Sequence, residues 1–352
     1  MGKRSCLPIF IIDCGKDIMA TRALNVLISA RILEYVRETI SSRYDLAHIH
    51  FIPYSGHRLD DQTLAQIDIA FVSRDITGRS TKYVLEAKTD TYYQMMEDAP
   101  NLQWVHVHSA GVDRPVYVRL RDKGLNVTSS TGALSGIVAQ SVLAAVLALN
   151  RRFRFLEAAQ REHVWAPLLD DLMPADLEGQ HVLLAGWGPI AQTTQRYLAM
   201  LGMKVTVLRN STVTGHTDVP MASYDDFLRI LPESDWLVLA CPLTDTTRGL
   251  VGRNALNAMK PGAHIVNVSR GEVIVESELI EALRTGSIAG AYLDVVDKEP
   301  LQPESPLWDM PNVMISPHTA GHSTGNEARV ADIFAENLNN WVKGLPLRNL
   351  AR

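Results

Sequence analysis

The chain is 352 residues long, too long for one ordinary core and comfortable for two domains. Apolar residues make up 46% and charged residues 21%, the balance of a globular protein that folds in water. A formal net charge of -5 argues against a nucleic-acid partner, which would show as a basic face; the run Arg151-Arg152-Phe153-Arg154 reads as a solvated helix face. Cys6, Cys14 and Cys241 form neither a disulfide framework nor a metal-ligand spacing, so no metal is expected and a reducing compartment, the cytoplasm, fits best. The apolar run Leu7 to Ile12 is short and followed by Asp13 and Gly15, the pattern of a first β-strand and not of a signal peptide. No stretch approaches the roughly 20 apolar residues that a membrane helix needs.

Short apolar, β-branched runs alternate with helical patterns along the whole chain. In the first half, Pro8–Ile12, His48–Pro53, Ile67–Ser73, Trp104–His108 and Leu125–Thr128 read as strands. Helical patterns lie near Leu24–Ile40, Asp61–Gln66, Thr91–Glu97 and Val116–Lys123. A long helical segment from about Ser135 to Trp165 then joins the halves. In the second half, the strands are His181–Ala185, Lys204–Leu208, Trp236–Ala240, His264–Val268, Ala289–Leu293 and Val313–Ser316. The last helical pattern is Asn326 to Lys343. Alternating strands and helices, with strands apolar throughout, predict parallel sheets covered on both faces. Two such series predict an α/β protein of two doubly wound domains: residues 1–127 with 319–352, and residues 128–318.

The strand Gln180–Ala185 runs directly into Gly186-Trp187-Gly188-Pro189-Ile190-Ala191 and then into a helix. This is the context of a dinucleotide-binding turn. Gly186 permits the tight turn, and Gly188 lets the backbone approach a pyrophosphate. Ala191 lets helix and strand pack closely, and the helix N-terminus offers free N–H groups to phosphate. An acidic residue after the next strand would favour NAD. Here the sequence is Leu208-Arg209-Asn210-Ser211-Thr212. Arg209 is suited to a 2′-phosphate, with Asn210 and Ser211 as hydrogen-bond donors, so NADP(H) is preferred and NAD(H) possible.

Three more segments place titratable groups just past strands: Asn267-Val268-Ser269-Arg270-Gly271, Leu293-Asp294 through Glu299-Pro300, and Ser316-Pro317-His318-Thr319-Ala320. Ligands bind outside the carboxyl ends of strands in open α/β sheets, so Arg270, Glu299 and His318 can converge. Hydride transfer to a carbonyl leaves an alkoxide that needs a proton, which a histidine can give. A carboxylate on the other ring nitrogen favours the imidazolium and fixes the ring. An arginine can grip a carboxylate with two parallel hydrogen bonds and polarise the neighbouring carbonyl.

These segments, with Pro242-Leu243-Thr244 and Thr247-Arg248-Gly249-Leu250, resemble the D-isomer-specific 2-hydroxyacid dehydrogenase family over residues 109–349. Within it the NADPH-linked glyoxylate and hydroxypyruvate reductases look most similar. The resemblance implies a Rossmann-type nucleotide domain beside a flavodoxin-like substrate domain. It implies His318 as proton donor or acceptor, Glu299 as its partner and Arg270 as carboxylate clamp. Asp294 would contact the nicotinamide amide, and Pro242, Thr247, Val268, Ser269 and His318 would line the cofactor. Backbone N–H groups of Ala110, Gly111 and Val112 would bind the substrate carboxylate. A homodimer through the nucleotide domains is also implied. The expected activity is reduction of a small 2-oxo acid; the alternative is a dinucleotide-sensing, corepressor-like interaction protein on the same fold.

Overall fold

The computed structural model describes residues 23–44, 47–210 and 218–351. The expected strand Pro8–Ile12, Cys6, Cys14 and Ser211 lie outside the described residues. The chain divides into two compact units. One holds the described residues of Met1–Gly78, Glu86–Ser130 and Val330–Arg352; the other holds Arg79–Leu85 and Thr131–Arg329. The changeovers fall after Ser130 and after Arg329, where the sequence placed them after 127 and 318.

The first unit is built on a parallel sheet of β1 (Leu24–Ser29), β2 (Ile49–Tyr54), β3 (Ile69–Val72), β4 (Trp104–Val107) and β5 (Asn126–Ser129). Its order, β2-β1-β3-β4-β5, is the flavodoxin-like order. The helix expected over Leu24–Ile40 is corrected: residues 24–29 are β1, and the helix is Leu33–Ser41. β1 lies between β2 and β3, and Val26, Leu27 and Ile28 are all fully buried. A strand covered on both faces shows no alternation, so its period cannot be told from that of a buried helix.

On one face of this sheet, Leu27, Val72, Val105 and Val107 pack with Tyr92 and Met95 of the helix Ala87–Asp98. On the other, Phe71 stacks on Phe334 at 4.5 Å and Trp104 on Trp341 at 5.6 Å, both from the final helix Asn326–Val342. That helix therefore returns to the first sheet. His106 is buried in the same layer, with Nδ1 at 2.8 Å from Thr128 Oγ1 and Nε2 at 3.0 Å from Ser130 Oγ. Burial pushes its pKa down to about 3, so the ring is neutral in the folded protein near pH 7.

Among its described residues the second unit carries seven parallel strands: β6 (His181–Ala185), β7 (Lys204–Arg209), β8 (Met221–Ser223), β9 (Trp236–Leu239), β10 (Ala263–Asn267), β11 (Ile288–Leu293) and β12 (Val313–Ile315). Their order is β12-β11-β10-β9-β6-β7-β8. Counted from β6, this is the Rossmann order 3-2-1-4-5-6 with one strand added beyond β11. Leu183, Leu237 and Ile265 fill one face, and Val182, Val238 and Val266 the other. The segment expected as one helix from Ser135 to Trp165 is two, Ser135–Asn150 and Phe153–Arg161. Arg152 breaks it in the left-handed region at φ 53°. The first helix buries Val138, Val142, Ala145 and Val146 against the sheet, whereas the second buries no residue, so packing does not hold the two to one axis.

Candidate active site

β6 ends at Ala185, and the chain turns through Gly186 at φ 104°. A Cβ there would sit 2.7 Å from the Ala240 carbonyl oxygen and 2.9 Å from Cys241 Cα, so only glycine fits. Gly188 differs. It caps the helix Pro189–Met200, is exposed, and a Cβ on it would meet nothing within 4 Å. Packing does not demand a glycine there; close approach by a ligand would. Pro189 takes the first helical position, and fully buried Ala191 seats the helix on the sheet.

A cavity of about 240 Å³ opens beside this turn, lined by Gly186, Trp187, Arg209, Asn210, Tyr224, Pro242, Thr244 and Thr247. A glycine backbone, a helix N-terminus and a guanidinium at the end of β7 together fit the phosphate and ribose portion of a dinucleotide. Of the residues named from sequence, Gly186, Trp187, Arg209, Asn210, Pro242 and Thr247 meet here. The Thr247 hydroxyl is engaged in shaping the turn: it donates to the Pro242 carbonyl at 2.7 Å and accepts from Thr244 N–H at 2.8 Å. Tyr224 was not foreseen. It directly follows β8, a strand of three partly buried residues with too little apolar character to be read from sequence. Burial pushes the Tyr224 phenol above its ordinary range, so it stays protonated.

The ends of β10, β11 and β12 carry the titratable groups. After β10, Asn267 Oδ1 accepts from the Ser269 N–H at 3.0 Å and its hydroxyl at 2.7 Å, while Nδ2 donates to the Arg270 carbonyl at 3.0 Å. This folds the turn that presents Arg270. Val268 and Ser269 are buried beneath it. The next residue, Gly271, lies against the loop after β11 so closely that a Cβ would stand 1.9 Å from the Val296 carbonyl carbon. That loop leads to Glu299. Its Asp297 N–H donates to Glu276 Oε2 at 3.2 Å, and burial pushes the Glu276 carboxyl above the usual carboxylate range.

Glu299 and His318 are in direct contact. His318 Nδ1 lies 2.9 Å from Glu299 Oε2 and 3.2 Å from Oε1, with the histidine side chain half exposed and the glutamate mostly covered. His318 adopts the left-handed region at φ 53°, an uncommon conformation for a side-chain-bearing residue. Its N–H donates to the Asp294 carbonyl at 2.8 Å, and Asp294 Oδ1 accepts from Ser316 Oγ at 2.5 Å, Thr319 N–H at 2.8 Å and Ala320 N–H at 2.9 Å. Buried Asp294 thus holds the histidine turn, with Oδ2 as its remaining acceptor. With Nδ1 facing a carboxylate, Nε2 is the nitrogen left to exchange a proton with a reacting oxygen. Ala110, Gly111 and Val112 belong to the first unit, in the loop after β4, where Ser109 Oγ donates to the Gly111 carbonyl at 2.7 Å.

Residues 143–320, half of the chain, match the model of the D-isomer specific 2-hydroxyacid dehydrogenase, NAD binding domain. A glyoxylate reductase from Thermofilum pendens is 32% identical over 71% of this chain and 75% of its own. A hydroxypyruvate reductase from Blautia hydrogenotrophica is 30% identical over 74% of this chain and 82% of its own. Among solved structures, a D-isomer specific 2-hydroxyacid dehydrogenase from Xanthobacter autotrophicus in complex with NADPH and MES superposes with a TM-score of 0.74. It is 28% identical and covers 94% of this chain and 98% of that one. An NADPH-dependent glyoxylate/hydroxypyruvate reductase from Sinorhizobium meliloti in complex with NADP and sulfate gives a TM-score of 0.73 at 26% identity, over 94% and 98%. Fold, turn and sequence therefore agree, and the chain belongs to the D-isomer-specific 2-hydroxyacid dehydrogenase family, oxidoreductases that use a nicotinamide dinucleotide.

Proposed function

We propose that this protein reduces small 2-oxo acids such as glyoxylate or hydroxypyruvate to D-2-hydroxy acids, with NADPH as the preferred reductant. The observation that carries the reading is the contact of His318 Nδ1 with the Glu299 carboxylate, which leaves Nε2 to serve the reacting oxygen. The bound nicotinamide would supply the hydride. Arg270 holds the substrate carboxylate. As the carbonyl carbon is reduced, charge grows on its oxygen; the arginine stabilises that charge and His318 delivers the proton. Glu299 keeps the ring oriented and offsets the imidazolium charge. Asp294, through Oδ2, is the acceptor for the nicotinamide amide.

The preference for NADPH rests on Arg209 and Asn210 lining the cavity beside Gly186, and on the absence of a carboxylate from Leu208 to Thr212. The Xanthobacter and Sinorhizobium structures, solved with NADPH and NADP, support it. The relatives named as reductases leave the corepressor-like alternative without a specific observation in its favour. We also propose a homodimer formed through the dinucleotide unit. Phe153, Phe155, Val164, Leu169 and Met173 stand exposed along one stretch, and Trp165 is 96% exposed, an apolar display typical of an interface. Among the described residues no helix is long and apolar enough to cross a membrane, and the cytoplasm is the proposed compartment.

The deciding experiment is a panel of 2-oxo acids assayed with NADPH and with NADH. Turnover of glyoxylate or hydroxypyruvate, faster with NADPH, is expected. No oxidation of either cofactor with any acid would overturn the proposal. Light scattering of the purified protein tests the dimer.

A further inference from the structure

Residues 79–85 interrupt the first unit between Gly78 and Glu86 and are grouped with the dinucleotide unit. They form a tight turn organised by one hydroxyl. Thr81 N–H donates to the Val84 carbonyl at 2.9 Å, and Thr81 Oγ1 accepts from Tyr83 N–H at 3.1 Å and Val84 N–H at 3.0 Å. The same hydroxyl donates to the main-chain carbonyl of Glu299 at 3.1 Å. Lys82 Nζ forms an ion pair with Glu272 Oε1, and the two side chains are only 22% and 11% exposed. The Tyr83 hydroxyl is 3.4 Å from the same carboxylate oxygen and 3.5 Å from the Asp297 carbonyl.

The turn therefore touches both loops that carry the acid–base and anion-binding groups. Glu272 follows Arg270 by two residues, and Asp297 precedes Glu299 by two. Those loops meet where Gly271 packs on Val296. A largely buried carboxylate two residues along from an arginine meant for an anionic substrate is harmful unless a cation offsets it. Its charge repels the incoming acid. Lys82 supplies that cation from the same turn in which Thr81 restrains the Glu299 main chain.

We propose that the 79–85 turn is a positioning element for 2-oxo acid reduction. Lys82 neutralises Glu272 so that the loop carrying Arg270 does not repel the substrate carboxylate, and Thr81 fixes the Glu299 backbone from which His318 takes its orientation. This rests on the roles given above to Arg270, Glu299 and His318. Neither Lys82 nor Thr81 touches the substrate in this arrangement; both act through their partners.

The test compares full-length wild type, Lys82→Met, Glu272→Gln and the double variant in steady-state kinetics with the best acid of the panel. NADPH binding is followed by fluorescence, and folding by thermal unfolding. Lys82→Met should raise KM for the acid about tenfold, a shift of about 1.4 kcal/mol, with NADPH affinity unchanged. Adding Glu272→Gln should return KM to within about threefold of wild type, because the unbalanced charge has been removed. A purely structural ion pair predicts instead that the rise in KM comes with lost thermal stability and weakened NADPH binding, and that all three recover together in the double variant. A wild-type KM in Lys82→Met, or a double variant no better than Lys82→Met, overturns the proposal. Should Lys82→Met not fold, Glu272→Gln alone carries the test: KM unchanged or lowered supports the proposal, and KM raised tenfold overturns it. Thr81→Val should lower kcat and shift its pH profile, with Thr81→Ser restoring both; an unchanged profile refutes the role of the hydroxyl. A wild type inactive with every acid would instead refute the proposed function, and this inference with it.

Discussion

Replacing Gly271 with alanine offers a sharp test of how the site is assembled. A Cβ at this position would lie 1.9 Å from the Val296 carbonyl carbon, 2.0 Å from its oxygen and 2.4 Å from the Asp297 nitrogen. Ordinary contact begins at 3.4 Å, so the two loops must separate by roughly 1.5 Å, and the three nearest atoms are all backbone. No side chain can rotate aside to absorb the change. Overpacking of this kind costs about 1–3 kcal/mol of stability. The functional loss should be larger in proportion. Arg270 is the adjacent residue and Glu299 follows shortly after Val296, so the separation moves one group relative to the other, and a misplacement of about 1 Å can cost roughly 100-fold in rate. The assay is kcat/KM for the 2-oxo acid, with thermal unfolding and NADPH binding in parallel. The glycine turn at Gly186 lies on another loop, so cofactor affinity should stay near wild type. A folded Gly271→Ala protein with kcat/KM within about threefold of wild type would refute the claim that this contact sets the geometry.

Three further outcomes follow. His318→Gln should lose about 10²–10⁴-fold in kcat while NADPH binding stays intact; substantial residual turnover would mean that another group supplies the proton. Arg209→Asp should shift the NADPH/NADH ratio of kcat/KM toward NADH by at least about tenfold, and an unchanged ratio would remove Arg209 from cofactor choice. Buried His106 predicts a pH dependence of stability. Its folded-state pKa of about 3 lies below the unfolded value of about 6.5, so only the unfolded chain takes up this proton between those limits. Its contribution is therefore fully present above pH 6.5 and is lost as pH falls toward 3, by about 1.4 kcal/mol per pH unit. Urea unfolding of wild type and His106→Asn from pH 7 to pH 4 should show the smaller slope in the variant; equal slopes would exclude the histidine as the source.

The sequence by itself determined the fold of the dinucleotide half of the protein. The strand, turn and helix around Gly186 are encoded within a dozen consecutive residues, where local constraint is strong: a positive φ at Gly186, proline at the first helical position, a small residue at Ala191. The placement of Arg270, Glu299 and His318 was legible because each stands just past a strand, and parallel strands deliver their carboxyl ends to one edge of the sheet. Tertiary structure decided what depends on burial and on distant neighbours. Leu24–Ser29 became an interior strand of the first sheet, and because both its faces are covered the alternation that would mark it is erased. β8 and Tyr224 emerged only when β7 offered an edge to pair with, since three residues of modest apolarity carry little period of their own. The break at Arg152 followed from packing that seats the first helix on the sheet and buries nothing of the second. The placement of Thr81 and Lys82 against Glu299 and Glu272 spans about two hundred residues of chain, and only the folded structure could bring those groups together.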